Sequence, residues 1–353
     1  MGVTAKVNGA EALTPSAEPN PCGPALAAWA LDHPEPDPGP TAETTPATHP
    51  WAVAFSGGAD STALLLAAVE LWPGRVQAFH IHHGLQAAAD GFADHCATFC
   101  AARGVPLHTL RVNAHPAPRE SPEAAARDAR YRGLAQLAVS QKAHTVLLGQ
   151  HAQDQVETVL LALTRGAGLP GLAGMAASTE RHGVRFGRPL LATDTRVLRA
   201  WLLAQQVAVV EDPTNTDQRY TRNRIRARLL PEMLSAFPAS LSTVARSARA
   251  AAQAQVLLDE VAAADLAQVG NPPLIKRLQA LSRPRQANVL RYWLKQGWAC
   301  APSEAQLEAC LDQVATCTTR GHRIELKVAQ GHMVRDGAAL CFHPPAIIPK
   351  FCP

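Results

Sequence analysis

The sequence predicts an α/β fold, with a mostly parallel sheet covered by helices on both faces, followed by a smaller, mainly helical domain. Three observations carry this expectation. From Trp51, short apolar runs alternate with longer amphipathic stretches, the pattern of strands joined by right-handed helical crossovers. After about residue 228 the strand-like runs stop and long alanine-rich stretches follow. A chain of 353 residues is also long enough for two domains.

The first fifty residues differ in composition from the rest. They hold ten of the 28 prolines and a net charge of −5, with few periodic apolar residues to offset the entropy cost of ordering. We therefore expect residues 1–50 to be a disordered extension, with one candidate helix around residues 24–33. The sequence shows no apolar run long enough to span a bilayer and no signal-peptide pattern, so we expect a cytoplasmic protein without a membrane partner.

Four strand and helix pairs make up the predicted α/β domain, residues 51–228. The strands are WAVAF, VQAFHI, PLHTLRV and HTVLLG, and helical stretches follow each of them, namely STALLLAAVELW, DGFADHCATFCAARG, PEAAARDARYRGLAQLAVSQK and DQVETVLLALTRG. Ligands of such sheets bind beyond the carboxyl ends of the strands. Residues 229–353 are predicted to form a mainly helical domain that ends in a short hairpin within IELKVAQGHMVRDGAALCFH.

The stretch SGGADS, residues 56–61, stands between the first strand and its helix. Adjacent glycines let the backbone approach a ligand, and the N-terminal amides of a helix attract phosphate. Ser56 and Ser61 add hydroxyl donors, while Asp60 is a candidate ligand of Mg²⁺. An ordinary turn with Asp60 or Ser61 as the helix N-cap would produce the same pattern. The spacing thus favours phosphate binding and leaves a structural turn as the alternative.

Other polar residues cluster at the later strand ends. Asp154 and Glu157 share a helix face at i and i+3, where they suit metal, ammonium or proton binding but equally suit helix capping. Glu123 and Arg127 are spaced i and i+4 in EAAARDARY, a pattern that by itself is typical of a solvated helix face with a salt bridge. His83 is a candidate contact for adenine or phosphate, and a structural histidine is the alternative.

Arginine is concentrated between residues 181 and 228, where ten arginines face only four acids and no lysine is present. That density suits contact with a polyanion, because the guanidinium fork matches phosphate oxygens. Part of this run is also expected to form ion pairs within the fold. The strip RNRIRAR, residues 222–228, is the part we expect to face nucleic acid or to line the active site.

These blocks resemble a known family. SGGADS is similar to the SGGxDS signature of the PP-loop (N-type) ATP pyrophosphatases. The later blocks, in their order, resemble tRNA(Ile)-lysidine synthetase from about Trp51 well into the helical region; they are FHIHHGLQ (79–86), EAAARDARY (123–131), GQHAQDQVETVLLALTRGAGLPGLAGM (149–175), RPLL (188–191) and EDPTNTDQRYTRNRIRARLLP (211–231).

The resemblance implies an activity and its partners. In that family, ATP carried with Mg²⁺ adenylates the wobble cytidine in the CAU anticodon of tRNA(Ile). Free L-lysine then displaces AMP from carbon 2, which gives lysidine and changes codon reading from AUG to AUA. The helical domain would bind tRNA. The resemblance leaves the oligomeric state open, with a homodimer as one option.

The resemblance also assigns roles to residues. ATP would be held by Ser56, Gly57, Gly58, Ala59, Asp60 and Ser61. Catalysis, or the binding of lysine and Mg²⁺, would fall to Asp154, Glu157, Arg127, Arg130 and His83. Contacts to tRNA would come from Arg222, Arg224, Arg226 and Arg228. One departure bears on these roles, because the family commonly has H-x-D-D where this chain has His151, Ala152, Gln153 and Asp154.

Two other functions stay open at this point. A related PP-loop tRNA-modifying enzyme such as a thiolase is one, although the eight irregularly spaced cysteines include no C-x-x-C pair for sulfur handling. A catalytically inactive RNA-binding relative is the other, and Gln153 keeps it open.

Overall fold

The computed structural model describes residues 18–34, 49–82, 84, 88–113, 122–211, 217–319 and 321–345. The chain divides into two compact units, Met1–Arg249 and Ala250–Pro353. Within the described part of the chain, every helix is too short or too polar to cross a membrane.

The first unit is built on a six-stranded sheet. Its strands are β1 (Trp51–Ala54), β2 (Val76–His82), β3 (Leu107–Arg111), β4 (Thr145–Leu147), β5 (Ser178–Arg181) and β6 (Val184–Gly187). They lie in the order β3-β2-β1-β4-β6-β5, and only the β5 and β6 pair is antiparallel. The predicted, mostly parallel sheet is confirmed.

Helices cover both faces of this sheet. They are α1 (Cys22–Asp32), α2 (Ala59–Leu71), α3 (Ala88–Ala101), α4 (Pro122–Ser140), α5 (Ala152–Thr164), α6 (Leu169–Leu172), α7 (Thr195–Ala204), α8 (Thr221–Arg224) and α9 (Leu230–Ala236), with a π-helical turn at Ile225–Leu229. One apolar core joins α1, α2, α3 and α7 to β1 and β2. A second core, around Tyr131 and Leu134 of α4, packs against Phe79 and Phe186 on the other face.

The order of the strands decides where the site forms. β4 lies between β1 and β6, and all three run parallel. The carboxyl ends of parallel strands meet at one edge of a sheet, so the segments that follow these three strands converge there. Those segments lead into α2, α5 and α7 respectively.

The candidate helix that the sequence predicts around residues 24–33 is present as α1 (Cys22–Asp32), so the disorder expected for residues 1–50 does not hold there. Cys22, Leu26 and Trp29 of this helix are buried in the first core. The Trp29 indole donates to the Ala177 carbonyl (2.8 Å), and the Trp201 indole donates to the Glu18 carbonyl (3.2 Å). The composition of the first fifty residues favoured disorder, whereas α1 is ordered because its apolar side chains pack in the first core. The rest of the extension, residues 1–17 and 35–48, lies outside the described residues.

The second unit is helical and ends in a small sheet. Its elements are α10 (Ser240–Val269), which begins in the first unit, α11 (Ile275–Gln279), α12 (Arg283–Trp298), α13 (Glu304–Thr316), β7 (Glu325–Val328), β8 (Gly331–Asp336) and β9 (Ala339–His343). The strands pair antiparallel in chain order, so the predicted hairpin is extended by one strand. The compact units divide at residue 249, whereas the boundary predicted from the sequence lies after residue 228.

Candidate active site

The loop between β1 and α2 is closed by its own hydroxyl groups. The Ser61 hydroxyl donates to the Gly58 carbonyl (3.0 Å) and accepts from the Ser56 amide (3.2 Å). Gly57 has φ +80°, and a Cβ at this position would lie 2.9 Å from a methyl group of Val210, so the turn requires glycine. The loop is therefore compact and internally bonded.

The first turn of α2 has no side-chain cap. The N-cap is Gly58, so the alternative in which Asp60 or Ser61 serves as the N-cap is wrong. The amides of this turn consequently lack the acceptor that a capping serine or aspartate would supply, which is the arrangement of a helix N-terminus that binds an anion. Gly149, after β4, lets the next segment approach this turn, because a Cβ there would lie 3.0 Å from the Ser61 backbone nitrogen.

Asp60 occupies the junction of the three converging segments. Its Oδ1 accepts a hydrogen bond from the Thr195 hydroxyl (2.5 Å), and its Oδ2 lies 3.5 Å from Nε2 of His151. The pKa of the Asp60 carboxyl is lowered; burial acts to raise it, but the His151 ring and the Thr195 hydroxyl outweigh burial. The side chain is 28% exposed, so this carboxylate is held firmly and still accessible from one side.

His151 links this carboxylate to the next one. It is the N-cap of α5 in a capping box with Asp154, whose carboxylate accepts from the His151 amide (3.2 Å). Nε2 of the buried ring lies 3.3 Å from Asp154 Oδ2 and faces Asp60 on the other side. The capping alternative for Asp154 is thus correct as local structure, and it places the carboxylate beside Asp60.

Two arginines hold the acids of α5. Glu157 is fully buried, and its carboxylate accepts from Nε of Arg222 (2.8 Å) and from Nε of Arg226 (2.6 Å). Asp154 Oδ1 accepts from Nη2 of Arg226 (3.1 Å). Burying Glu157 alone would be costly, and these two guanidinium groups compensate its charge. Asp154 keeps 15% exposure, Arg222 22% and Arg226 39%, so one anion and both cations of the cluster are partly open to solvent.

The arginine strip divides into two sets. Arg222 and Arg226 face inward to the acids of α5, whereas Arg224 and Arg228 are exposed. Among the residues that the structure describes, Arg224 bonds to the Thr221 hydroxyl (3.0 Å) and Arg228 to the Gln218 amide oxygen (2.9 Å). The π-helical turn at residues 225–229 carries both kinds of arginine. The exposed set, Arg224 and Arg228, is the more accessible from solvent.

The α4 arginines lie near the same cluster. Arg130 is within electrostatic range of Arg222 and Asp154. The guanidinium carbon of Arg127 lies 5.7 Å from the centroid of the Tyr131 ring, one turn further along α4. Tyr131 is itself buried and accepts from Nη2 of Arg188 (3.0 Å). His83, the remaining candidate, lies outside the described residues.

Two residues of the site, Asp194 and Thr195, had no signal in the sequence, and Gln153 stood out only as a departure from the family pattern. Thr195 follows Asp194 in an unremarkable helix start, yet its hydroxyl bonds to Asp60. Gln153 donates to Asp194 Oδ1 (2.5 Å) and accepts from the Thr195 amide (3.1 Å). These contacts span about 40 positions of sequence, so no local spacing reveals them.

The donor set suits Mg²⁺ carried by phosphate. Asp60 supplies one accessible carboxylate, and no group of three or more metal-ligating side chains occurs in the described ranges. Mg²⁺ is often held by one or two carboxylates together with phosphate oxygens and waters, and Asp60 beside an uncapped helix terminus fits that pattern.

Two family models match the chain. The PP-loop domain model ATP_bind_3 covers residues 41–233, and the TilS substrate binding domain model covers residues 274–338. The first covers the sheet and the whole of the site described above. The second falls within the second compact unit.

Curated relatives match along most of the chain. The tRNA(Ile)-lysidine synthase of Polaromonas naphthalenivorans is 66% identical over 83% of this chain and 89% of its own length. The tRNA(Ile)-lysidine synthase of Bordetella parapertussis is 42% identical over 80% and 85%. Among solved structures, the U34-tRNA thiolase NcsA from Methanococcus maripaludis matches with a TM-score of 0.50 and 14% identity over 57% of this chain and 71% of its own; this shows a common fold alone.

Proposed function

The chain belongs to the tRNA(Ile)-lysidine synthase family, and from that premise we propose how its site makes lysidine on tRNA(Ile) with ATP. The thiolase and the inactive RNA-binding relative are not favoured, since the relatives that match along most of the chain are lysidine synthases. Free L-lysine, Mg²⁺ and the roles of single residues are the parts that we add.

One observation carries the proposal. His151 Nε2 lies within 3.5 Å of both Asp60 and Asp154, so the carboxylate beside the phosphate loop and the acid cluster of α5 form one continuous site. A reaction that first transfers AMP and then brings in an amine needs these two subsites in contact. We assign ATP to Ser56, Gly57, Gly58, Ala59, Asp60 and Ser61.

The first step activates the base. The carbonyl oxygen at carbon 2 of the wobble cytidine attacks the α-phosphorus of ATP, and pyrophosphate leaves. The uncapped amides of α2 bind phosphate oxygens, and Asp60 holds Mg²⁺, which neutralises the triphosphate when bound. Arg127 and Arg130 stabilise the negative charge that develops at the α-phosphate.

The second step forms the carbon–nitrogen bond. The neutral ε-amine of lysine attacks carbon 2, AMP leaves with the former carbonyl oxygen, and one proton leaves the nitrogen. The partly exposed carboxylate of Asp154 and guanidinium of Arg226 are opposite in charge to the ammonium and carboxylate groups of free lysine, respectively. Asp154 is the candidate for binding the ammonium group and taking its proton, whereas Glu157 keeps the two arginines in place.

The tRNA contact lies on the exposed arginines. Arg224 and Arg228 are exposed, and within the described ranges each has one local side-chain bond, which leaves other donors of both guanidinium groups for phosphate. The second unit, which contains the substrate binding domain match, is the other part that we expect to hold tRNA.

The test uses tRNA(Ile) with a CAU anticodon, Mg²⁺, ATP and labelled lysine. We expect label in the RNA together with one AMP and one pyrophosphate for each lysine. An ATP analogue with a methylene group between the α and β phosphates should block the reaction, whereas one with an imido group between β and γ should support it. A tRNA with uridine at the wobble position is the control. Label in that control, or ADP as the product, would refute the proposed chemistry.

A further inference from the structure

The first turn of α5 carries a glutamine that the proposed reaction does not use directly. Gln153 is 6% exposed and bridges to the start of α7. Its side-chain nitrogen donates to Asp194 Oδ1 (2.5 Å), and its oxygen accepts from the Thr195 amide (3.1 Å). Both the nitrogen and the oxygen of the Gln153 side chain are therefore hydrogen-bonded.

These hydrogen bonds continue through Thr195 to Asp60, in the loop of residues 56–61. Thr195, whose backbone is held by Gln153, donates its hydroxyl to Asp60 Oδ1 (2.5 Å). A backbone bond from the Ala152 amide to the Thr193 carbonyl (3.0 Å) supports the same junction. Asp60 thus takes its orientation from two helices, α5 through His151 and α7 through Thr195.

From this geometry we infer that Gln153 and Thr195 are positioning residues, which orient the Asp60 carboxylate for Mg²⁺ and ATP. The inference rests on the proposed function of Asp60. It also states what position 153 requires, which is a side chain that donates on one side and accepts on the other. An amide does both, and a carboxylate does not.

Asp194, which accepts the hydrogen bond from Gln153, explains why a carboxylate does not suit position 153. Asp194 is the N-cap of α7 and forms an ion pair with Arg196 (2.6 Å). The pKa of its carboxyl is lowered; burial acts to raise it, but the bonds from Arg196 outweigh burial. A carboxylate at position 153 would therefore meet a second ionised carboxylate at hydrogen-bond distance, and like charges in a partly buried place repel strongly.

The test is a rescue experiment on binding. We expect Gln153→Glu to raise the Kd for Mg²⁺-ATP about tenfold, the usual scale of losing one charge-assisted hydrogen bond. Adding Asp194→Asn should return the Kd to within about threefold of the parent protein, because asparagine donates to the new glutamate and is also a good N-cap. Thr195→Ala should weaken binding about as much as Gln153→Glu, and Thr195→Ser should not.

The control is a second buried glutamine on the same helix. Gln155 also donates and accepts, but its partner is the Met175 backbone, away from Asp60. Gln155→Glu should lower the melting temperature without changing the affinity for Mg²⁺-ATP. The Thr195 effect should shrink when ATP binding is measured without Mg²⁺, since Asp60 acts through the metal.

Three outcomes would overturn the inference. They are unchanged Mg²⁺-ATP binding in Gln153→Glu, failure of Asp194→Asn to restore it, and equal loss of binding in Thr195→Ser and Thr195→Ala. If Gln153→Glu does not fold, the Thr195 pair decides by itself. Absence of lysine transfer by the parent protein would refute the proposed function, whereas these binding measurements would still decide the inference.

Discussion

Trp29 offers a direct measure of what α1 contributes to the first unit. Its side chain is 5% exposed, stacks against His33 and donates to the Ala177 carbonyl (2.8 Å). A buried tryptophan removes roughly 150–250 Å² from water, which is worth about 4–6 kcal/mol at about 25 cal/mol per Å². Measured truncations of this kind cost about 3–5 kcal/mol. We therefore expect Trp29→Ala to lower the free energy of unfolding by about 3–5 kcal/mol.

The assay combines denaturant unfolding with thiol labelling. Leu31 is on the same helix and 83% exposed, so Leu31→Ala is the matched control and should cost less than about 0.5 kcal/mol. Cys22 is fully buried, and burial raises the pKa of its thiol to about 12, so it should resist alkylation until α1 detaches. Trp29→Ala should speed its alkylation. Equal stability of the two variants, or rapid alkylation of Cys22 in the parent protein, would refute the docking of α1.

Three further predictions concern the loop, the acid cluster and the arginine strip. Gly57→Ala should weaken ATP binding and stability more than Gly74→Ala. Both glycines have positive φ, but a Cβ at Gly57 would clash with Val210, whereas a Cβ at Gly74 would have open space. Calorimetry of both variants with ATP measures the difference, and equal effects would contradict the prediction. Glu157→Gln should lower the free energy of unfolding by about 3–5 kcal/mol, because Arg222 and Arg226 lose the buried carboxylate that they share. The matched control, Glu123→Gln at an exposed position, should leave stability unchanged. Denaturant unfolding measures both, and an equally stable Glu157→Gln would contradict the prediction. Replacing Arg224 and Arg228 together by glutamine should weaken tRNA binding without changing the melting temperature. The slope of the logarithm of the binding constant against the logarithm of salt concentration should become shallower by up to about 0.7–0.9 for each lost phosphate contact. Arg132→Gln, at another exposed arginine, is the control, and an unchanged slope in the double variant would refute the contact.

The sequence predicted the parts of the fold that depend on local patterns. Alternating apolar runs located β1 to β4, and the glycines of residues 56–61 located the turn between β1 and α2. The edge strand β5 and its partner β6 escaped prediction because they carry polar residues such as Glu180 and Arg185 in place of an apolar run. α1 was only a candidate, because its stability comes from packing on distant helices and not from its own periodicity.

The same limit applies to the site. The pairing of Asp154 with Glu157 was visible as helix spacing, but their partners Arg222 and Arg226 come from 65 to 72 positions further along the chain. An arginine-rich strip predicts polyanion contact as a whole, and only the fold separates the inward pair from the exposed pair.

These contacts show what Gln153 does at the position where the family commonly has aspartate. If Asp154 needed a neighbouring carboxylate to be placed, glutamine at 153 would argue against its role. Instead, Asp154 is held by the His151 amide and ring and by Arg226, and none of these bonds involves residue 153. Gln153 faces Asp194 and Thr195, where a donor and an acceptor are both required. The substitution therefore bears on how Asp60 is oriented, and the binding of Mg²⁺-ATP, not of lysine, is where its effect should be measured.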